Sequence, residues 1–172
     1  SLPFNEGRGA ASKDAVRGQS AAIHDARWIS GASSLIAFPE DTEKALTLED
    51  PSPERKAFTV EAWCKPQKTD TGYLLLKKYA FGFPNFAGDG KVKGYVRRDN
   101  EKDWGLTLEN AVEANAWQHY VLTCDGRVVW IYRNGKLVED RPLPGPPATS
   151  TAPFLIGANG GWGQGHFTGD AG

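Results

Sequence analysis

The sequence predicts an all-β sandwich, and three observations carry that prediction. The 172 residues include 20 Gly and 11 Pro, six Trp, five Tyr and eight Phe, but no Met, which is the composition of a turn-rich chain with few helical segments. Residues 117–139 read as three antiparallel strands, because apolar runs flank the hairpin-forming dipeptides Asp125-Gly126 and Asn134-Gly135. Strand-like segments also recur about every 10 to 15 residues, as a sandwich requires.

Length and charge limit the organisation and the partners. A chain of 172 residues suits one domain, which we expect to span residues 1–172. Lys and Arg number 20 against 21 Asp and Glu, a formal net charge of −1, so we expect no nucleic-acid partner. No apolar run reaches the roughly 18 to 20 residues that cross a bilayer, so we expect no membrane insertion. The chain starts at Ser1 and not at Met, which suggests a segment of a larger protein.

The N-terminal third predicts short strands. Residues 2–4 read as a strand and 5–9 as a loop. A helical period is conceivable between residues 12 and 27, but Gly18 interrupts it and favours a loop followed by a strand at 21–24. Residues 34–38 form a further predicted strand, which Pro39 ends.

The stretch from Phe58 to Cys64 predicts a central strand. Its residues alternate strictly, and the core face would carry Phe58, Val60, Ala62 and Cys64. The opposite face carries Trp63, which must be covered or used. We expect Trp63, together with Trp117 and Trp130, to be packed in the core or between the sheets.

The second half predicts the remaining strands. Residues 73–79 and 92–98 read as strands joined by a long loop, 80–90, which contains three Phe. We expect these rings to plug an end of the sandwich. Residues 104–108 and 153–157 are further predicted strands, and a glycine-rich loop follows the second of them.

Two cysteines permit at most one disulfide. If the strand with Val60 pairs antiparallel with the strand that holds Val121, Cys64 and Cys124 lie at opposite ends of the pair. Their Cα atoms would then be well beyond the roughly 7 Å that a disulfide spans. We expect two free, buried thiols.

Several motifs occur in an order that resembles a known family. They are PFNEGRG near the N-terminus, SLIAF, FTVEAWCKP, WQHYVLTCDGRVVWIYRNGKLV, PFLIGANGG and HFTGDAG. This order resembles the laminin-G-like, pentraxin-related branch of the concanavalin A-like lectin/glucanase superfamily. The resemblance implies a jelly-roll sandwich of two curved antiparallel sheets that binds sugars or proteins. It also implies a further strand after Phe167-Thr168-Gly169-Asp170, so we expect the last closing strand to be missing from these residues.

The sequence does not favour an enzyme. Hydrolytic relatives carry paired carboxylates in an ExDxxE-like arrangement, because one protonates the leaving oxygen while the other attacks. That spacing does not occur here. Glu109 with Glu113, or Glu49, Asp50 and Glu54, come nearest to it, and both groups lie beside predicted turns. A degenerate glycoside hydrolase or polysaccharide lyase is therefore the least favoured alternative.

The resemblance also implies one structural Ca²⁺. Relatives often hold this ion between the N-terminal loop and the residues after the FxGD stretch, and Asp14 and Asp170 occupy comparable places. Turn-forming Asp residues are an equal alternative for both positions.

Aromatic residues on loops are the candidate ligand-binding groups. An indole face stacks on the apolar face of a pyranose, while amides and guanidinium groups bond its hydroxyls. The candidates are Trp162 with Asn159 and Gln164, Trp104 with Arg97, and Asn85. We therefore expect a non-catalytic, lectin-like module of an extracellular or cell-envelope protein. The alternative is a structural domain that packs against neighbouring protein domains of its parent.

Overall fold

The computed structural model describes residues 2, 6–13, 15, 18–29, 36–39, 46–49, 56–69, 72–98, 103–157 and 167–172. Within these ranges every regular element is a strand, and no helix is present that would be long and apolar enough to cross a membrane. The strands are β1 (Ala11–Lys13), β2 (Ser20–Ile23), β3 (Arg27–Trp28), β4 (Ile36–Phe38), β5 (Leu46–Leu48), β6 (Phe58–Pro66), β7 (Gly72–Tyr73), β8 (Leu75–Lys77), β9 (Phe81–Ala87), β10 (Lys91–Arg97), β11 (Asp103–Leu108), β12 (Gln118–Cys124), β13 (Val128–Arg133), β14 (Lys136–Pro142), β15 (Phe154–Ile156) and β16 (Gly169–Ala171).

The strands form two antiparallel sheets. The nine-stranded sheet has the order β1-β2-β5-β15-β8-β9-β10-β11, with β7 beside β9. The seven-stranded sheet has the order β14-β13-β12-β6-β16-β4-β3. The sheets pack face to face and share one apolar core, so the predicted all-β jelly-roll sandwich is confirmed.

Aromatic rings join the two sheets across the core. Tyr120 of β12 is fully buried and meets Phe83 and Phe86 of β9 edge-on, with ring centroids 6.3 and 5.7 Å apart. Phe58 of β6 stacks on Phe81 at 4.7 Å. Such pairs contribute about 0.5 to 1.5 kcal/mol each beyond the burial of their area, so they fix how the sheets face each other.

Residues 80–90 differ from the prediction. They were expected to form a loop, but Phe81–Ala87 is strand β9, and it lies between β8 and β10. Its three Phe rings are buried in the core. Alternation in the sequence did not predict this strand, because Gly82 and Pro84 interrupt the pattern and neither residue is a usual strand former.

Both predicted hairpins are present. β12 pairs with β13 around Asp125-Gly126, and β13 pairs with β14 around Asn134-Gly135. Asn134 and Gly135 both have positive φ, at 50° and 76°, as a type I′ turn requires. The Asp125 carboxylate accepts the N–H groups of Arg127 and Val128, and these two hydrogen bonds lower the pKa of Asp125.

Strand β6 lies in the centre of the seven-stranded sheet. It pairs with β12 in a register that places Cys64 opposite Gln118 and Cys124 opposite Phe58. The cysteines are therefore at opposite ends of the pair, and both thiols are free and buried, as predicted. Burial raises the pKa of both thiols.

Strand β16 is the last in the chain order. It follows Phe167-Thr168 and pairs with β6 on one side and with β4 on the other. β16 consists of Gly169 and Asp170 of the FxGD stretch together with Ala171. The further strand expected after this stretch stays a prediction. Residues 3 and 4 of the predicted first strand and the glycine-rich loop after 157 lie outside the described residues.

Gly126 provides a test of the first hairpin. Its φ is 91°, and a Cβ at this position would lie 2.7 Å from the carbonyl oxygen of Lys56. We expect Gly126→Ala to lower the free energy of unfolding by about 1 to 3 kcal/mol, measured by urea denaturation. Gly88→Ala is the matched control, because no atom lies within 4 Å of its added Cβ. Equal effects of the two substitutions would contradict this account of the turn.

The buried thiols predict a loss of stability at alkaline pH. The folded-state pKa of Cys64 is raised, whereas in the unfolded chain a thiol ionises at about 8.5. The unfolded state therefore loses protons first, and stability should fall as pH rises above that value. We expect the free energy of unfolding to decrease between pH 7 and pH 9.5, and to decrease less steeply in Cys64→Ala. The same slope in both proteins would exclude Cys64 as the source.

Candidate functional site

The candidate site lies on the outward face of the seven-stranded sheet. Alternation along β6 buries Cys64 and turns Glu61 and Trp63 outward. Trp63 is 51% exposed in the centre of this sheet, where a large apolar ring is normally covered. We call Glu61, Trp63, Trp117 and His119 together the Trp63 face.

Trp63 and His119 form a planar aromatic pair. The two residues stand directly opposite each other on β6 and β12, and their rings stack with centroids 4.8 Å apart and an interplanar angle of 16°. The Nε2 atom of His119 lies 3.4 Å from Oε2 of Glu61. Ring stacking on one side and the carboxylate on another fix the position of the imidazole.

The backbone of His119 is fixed by the second hairpin turn. Its N–H donates to Oδ1 of Asn134 at 2.8 Å, and its carbonyl accepts the N–H of Asn134 at 2.8 Å. Asn134 thus has two roles, because it also adopts the positive φ of the turn. The same residue that forms the hairpin also orders the site.

On the β16 side of Trp63, the neighbouring position in the sheet is a glycine. Gly172 donates its N–H to the Trp63 carbonyl at 3.1 Å, so the neighbouring position on that side has no side chain. Trp117 is 40% exposed and precedes β12, diagonal to Trp63 in the sheet. Diagonal neighbours lie about 7 to 8 Å apart, so two indoles stand within one small area.

Polar groups surround the indoles. Lys65 follows Trp63 on the outward face, and its Nζ lies 3.7 Å from Oδ2 of Asp170. Glu61 is mostly exposed and offers acceptor oxygens beside His119. The Trp63 face therefore combines flat apolar rings with hydrogen-bond donors and acceptors at their edges, which suits a ligand that has both kinds of surface.

The expectation for the tryptophans was wrong. Trp63 and Trp117 were predicted to be core or inter-sheet residues, but both are exposed on the outward face. Trp130 is half-buried and lies opposite Thr123, between the buried Val129 and Ile131. Alternation along β6 already predicted that Trp63 points away from the core, but it did not predict that the residue is half exposed.

The structure describes some of the predicted ligand-binding residues. Arg97 ends β10 and is half-buried, and Trp104 lies on the neighbouring strand β11, although its side chain is outside the described part. Asn85 is 4% exposed within β9, so it does not lie on a loop as expected. Trp162, Asn159 and Gln164 lie outside the described residues, and their role stays a prediction.

The calcium site also stays a prediction. Asp170 lies on β16 and contacts the Lys65 ammonium, while Asp14 is outside the described residues. In the part of the chain that the structure covers, no group of three or more His, Cys, Asp or Glu side chains is placed to hold a metal ion. Calcium prefers six to eight oxygen ligands, and the described surroundings of Asp170 provide a cation instead.

The two antiparallel sheets around one apolar core place the chain in the class of concanavalin A-like sandwich domains. The chain belongs to the concanavalin A-like lectin/glucanases superfamily, whose Laminin_G_3 model matches residues 40–171. The pentraxin-related branch stays a prediction. No curated protein matches the sequence.

Three of the solved structures that are similar to this chain are binding domains of other proteins. The binding domain of Paraclostridial Mosquitocidal Protein 1 matches 99% of this chain with a TM-score of 0.76 and 11% sequence identity. The receptor binding domain of botulinum neurotoxin D matches 87% of this chain with a TM-score of 0.71 and 10% sequence identity. This chain covers 47% and 42% of those two proteins, which is less than half of their length. The Ruminococcus gnavus IT-sialidase CBM40 bound to α2,3-sialyllactose matches 67% of this chain with a TM-score of 0.54 and 16% sequence identity. The match covers 74% of the CBM40 chain.

Asn134 provides a test of how the site is ordered. Asn134→Gly keeps the positive φ but removes the acceptor for the His119 N–H, whereas Asn134→Ala disturbs both. We expect Asn134→Gly to lower the free energy of unfolding by about 0.5 to 1.5 kcal/mol and Asn134→Ala to lower it further. Asn134→Asp should stay near the wild type, because it retains the acceptor. Equal losses in Gly and Asp variants, measured in urea, would contradict the role of Oδ1.

Proposed function

We propose that this chain is a non-catalytic carbohydrate-binding module and that the Trp63 face is its sugar platform. The observation that carries the proposal is the half-exposed indole of Trp63, held flat against His119 at 4.8 Å in the middle of a sheet. A pyranose presents an apolar C–H face to such a ring and its hydroxyls to the surrounding polar groups.

The surrounding groups suit hydroxyl recognition. Glu61 accepts hydrogen bonds, Lys65 donates them, and the His119 imidazole can do either. All three are on paired strands, so their backbones are fixed before the ligand arrives. Preorganisation of this kind reduces the entropy that is lost on binding.

The comparisons support this proposal at the level of the fold. One similar structure is a CBM40 bound to sialyllactose, and another is a botulinum neurotoxin D ligand binding domain in complex with N-acetylneuraminic acid. Both are far below 25% identity to this chain, so the ligand of this chain rests on its own residues. An extracellular or cell-envelope location belongs to the same proposal, because glycan ligands are displayed there.

A second candidate function is docking of a neighbouring protein domain. It is favoured by the exposed apolar residues of the seven-stranded sheet, which include Leu137 and Val138 on the edge strand β14 as well as the two indoles. Exposed apolar area of this kind is common to sugar-binding and protein-binding surfaces. The two functions differ in which residues a ligand perturbs.

A glycan array followed by titration of its best ligand tests the proposal. We expect Trp63→Ala to weaken binding of a neutral oligosaccharide at least about tenfold, because the stacking surface is removed. The melting temperature should change little, since the ring is exposed.

Leu137→Ala is the matched control for this experiment. Leu137 is 50% exposed on the same sheet, so the substitution removes a similar apolar surface away from the indoles. We expect its affinity to equal that of the wild type, with or without a calcium chelator. A blank array, or an equal loss of binding in both variants, would reject the sugar platform and favour protein docking.

A further inference from the structure

A second exposed aromatic residue, Tyr79, lies in the turn between β8 and β9. It is 49% exposed, and its φ is 67°, in the left-handed region that bulky residues rarely adopt. Strained backbone of this kind persists only where the surroundings impose it, and it is concentrated at functional sites. The turn that holds Tyr79 connects two strands of the nine-stranded sheet, so Tyr79 is separate from the Trp63 face, which lies on the seven-stranded sheet.

The backbone around Tyr79 is held on both sides of the turn. The Ala80 N–H donates to the Lys77 carbonyl at 3.0 Å, and the Arg97 N–H donates to the Ala80 carbonyl at 2.7 Å. Ser150 Oγ donates to the Lys78 carbonyl at 2.6 Å. Two of these bonds reach outside the turn, to β10 and to Ser150, so the backbone position of Tyr79 is set by the fold and not by the turn alone.

Two cations lie against the ring. The guanidinium carbon of Arg97 and the Nζ of Lys78 are each 5.4 Å from the ring centroid, within the range of cation–π contacts. The backbone of Arg97 is fixed further, because its carbonyl accepts the Ala148 N–H at 2.8 Å. A planar guanidinium matches a carboxylate or sulfate in a two-point hydrogen bond, which an ammonium does not.

We propose that Tyr79 and Arg97 form a second binding site, which takes a pyranose that carries a carboxylate or a sulfate. The phenol ring provides the stacking surface, the Arg97 guanidinium pairs with the anion, and Lys78 adds positive charge beside it. The proposal goes beyond the sugar platform and does not depend on it, because no residue is shared between the two sites.

Matched monosaccharides test this proposal by two-dimensional NMR of the 172-residue chain. Methyl β-D-glucuronide and methyl β-D-glucoside differ only at C6, where the first carries a carboxylate and the second a hydroxymethyl group. Methyl β-D-glucoside 6-sulfate carries a sulfate at the same position. We expect the amide signals of residues 78–80 and 97 to shift with the glucuronide or the sulfate, with an affinity about tenfold above that of the glucoside. The affinity should fall as salt is raised. Shifts of equal size from the neutral and the anionic sugars, or no shift from any of them, would overturn the proposal.

Substitutions at Tyr79 and Arg97 distinguish a loss of binding from a loss of folding. Tyr79→Gly removes the ring but accepts the positive φ without strain, so it should keep the wild-type melting temperature and lose the binding. Arg97→Lys retains the charge but removes the planar guanidinium, so it should weaken anion binding. Tyr79→Phe retains the aromatic ring, so its affinity for the anionic sugar should stay near the wild-type value. Unchanged glucuronide affinity in Tyr79→Gly and Arg97→Lys would overturn the proposal.

Trp63→Ala distinguishes this result from the proposed function. We expect it to leave glucuronide binding at residues 78–80 and 97 unchanged, because Trp63 lies on the other sheet. If Trp63→Ala removes anion binding together with neutral sugar binding, both ligands use the Trp63 face and the second site is rejected.

Discussion

The pairing of β6 with β12 is the constraint on which the rest of this structure depends. The two strands run antiparallel in the centre of the seven-stranded sheet, in an unbroken register from Cys64 opposite Gln118 to Phe58 opposite Cys124. Side chains alternate between the two faces of a strand, so a slip of one residue would exchange the faces. The register that buries Tyr120 in the core therefore also places Trp63 against His119 on the surface.

A buried amide connects this strand pair to the loop before it. Gln118 is nearly inaccessible, and its Oε1 accepts hydrogen bonds from the Tyr120 hydroxyl at 2.9 Å, the Arg133 guanidinium at 2.9 Å and the Glu113 N–H at 3.1 Å. Its Nε2 donates to the Glu113 carbonyl at 2.8 Å. A buried polar group is costly unless it is hydrogen-bonded, and here the bonds hold the start of β12 in place between Trp117 and His119.

The exposed aromatic rings contribute less to stability than buried rings would, and this loss points to a role in binding. Full burial of a large apolar side chain contributes roughly 1.5 to 3 kcal/mol, so half-exposed Trp63 and Trp117 each forgo about 1 kcal/mol or more. Tyr79 adds a backbone conformation that costs about 1 to 3 kcal/mol. Nothing in the packing of the described core requires these features, which is why we connect both with binding. The two surfaces also differ in charge, since carboxylates accompany the indoles of the first, whereas two cations lie against the ring of the second.

The sequence by itself determined the local structure of this protein. Alternation from Phe58 to Cys64 predicted the central strand and its core face, the Asp-Gly and Asn-Gly dipeptides predicted the hairpins, and the separation of Cys64 from Cys124 predicted free thiols. These features depend on residue type and on the period of a strand, both of which are local. Only the tertiary structure decided which outward residues remain uncovered and which turns meet. The β9 strand was not predicted, because Gly82 and Pro84 interrupt its strand-like pattern. The contact of Arg97 with Tyr79 joins residues that are distant in sequence, because the pairing of β9 with β10 brings the turn before β9 to the end of β10. Which residues are buried depends in turn on how the two sheets pack.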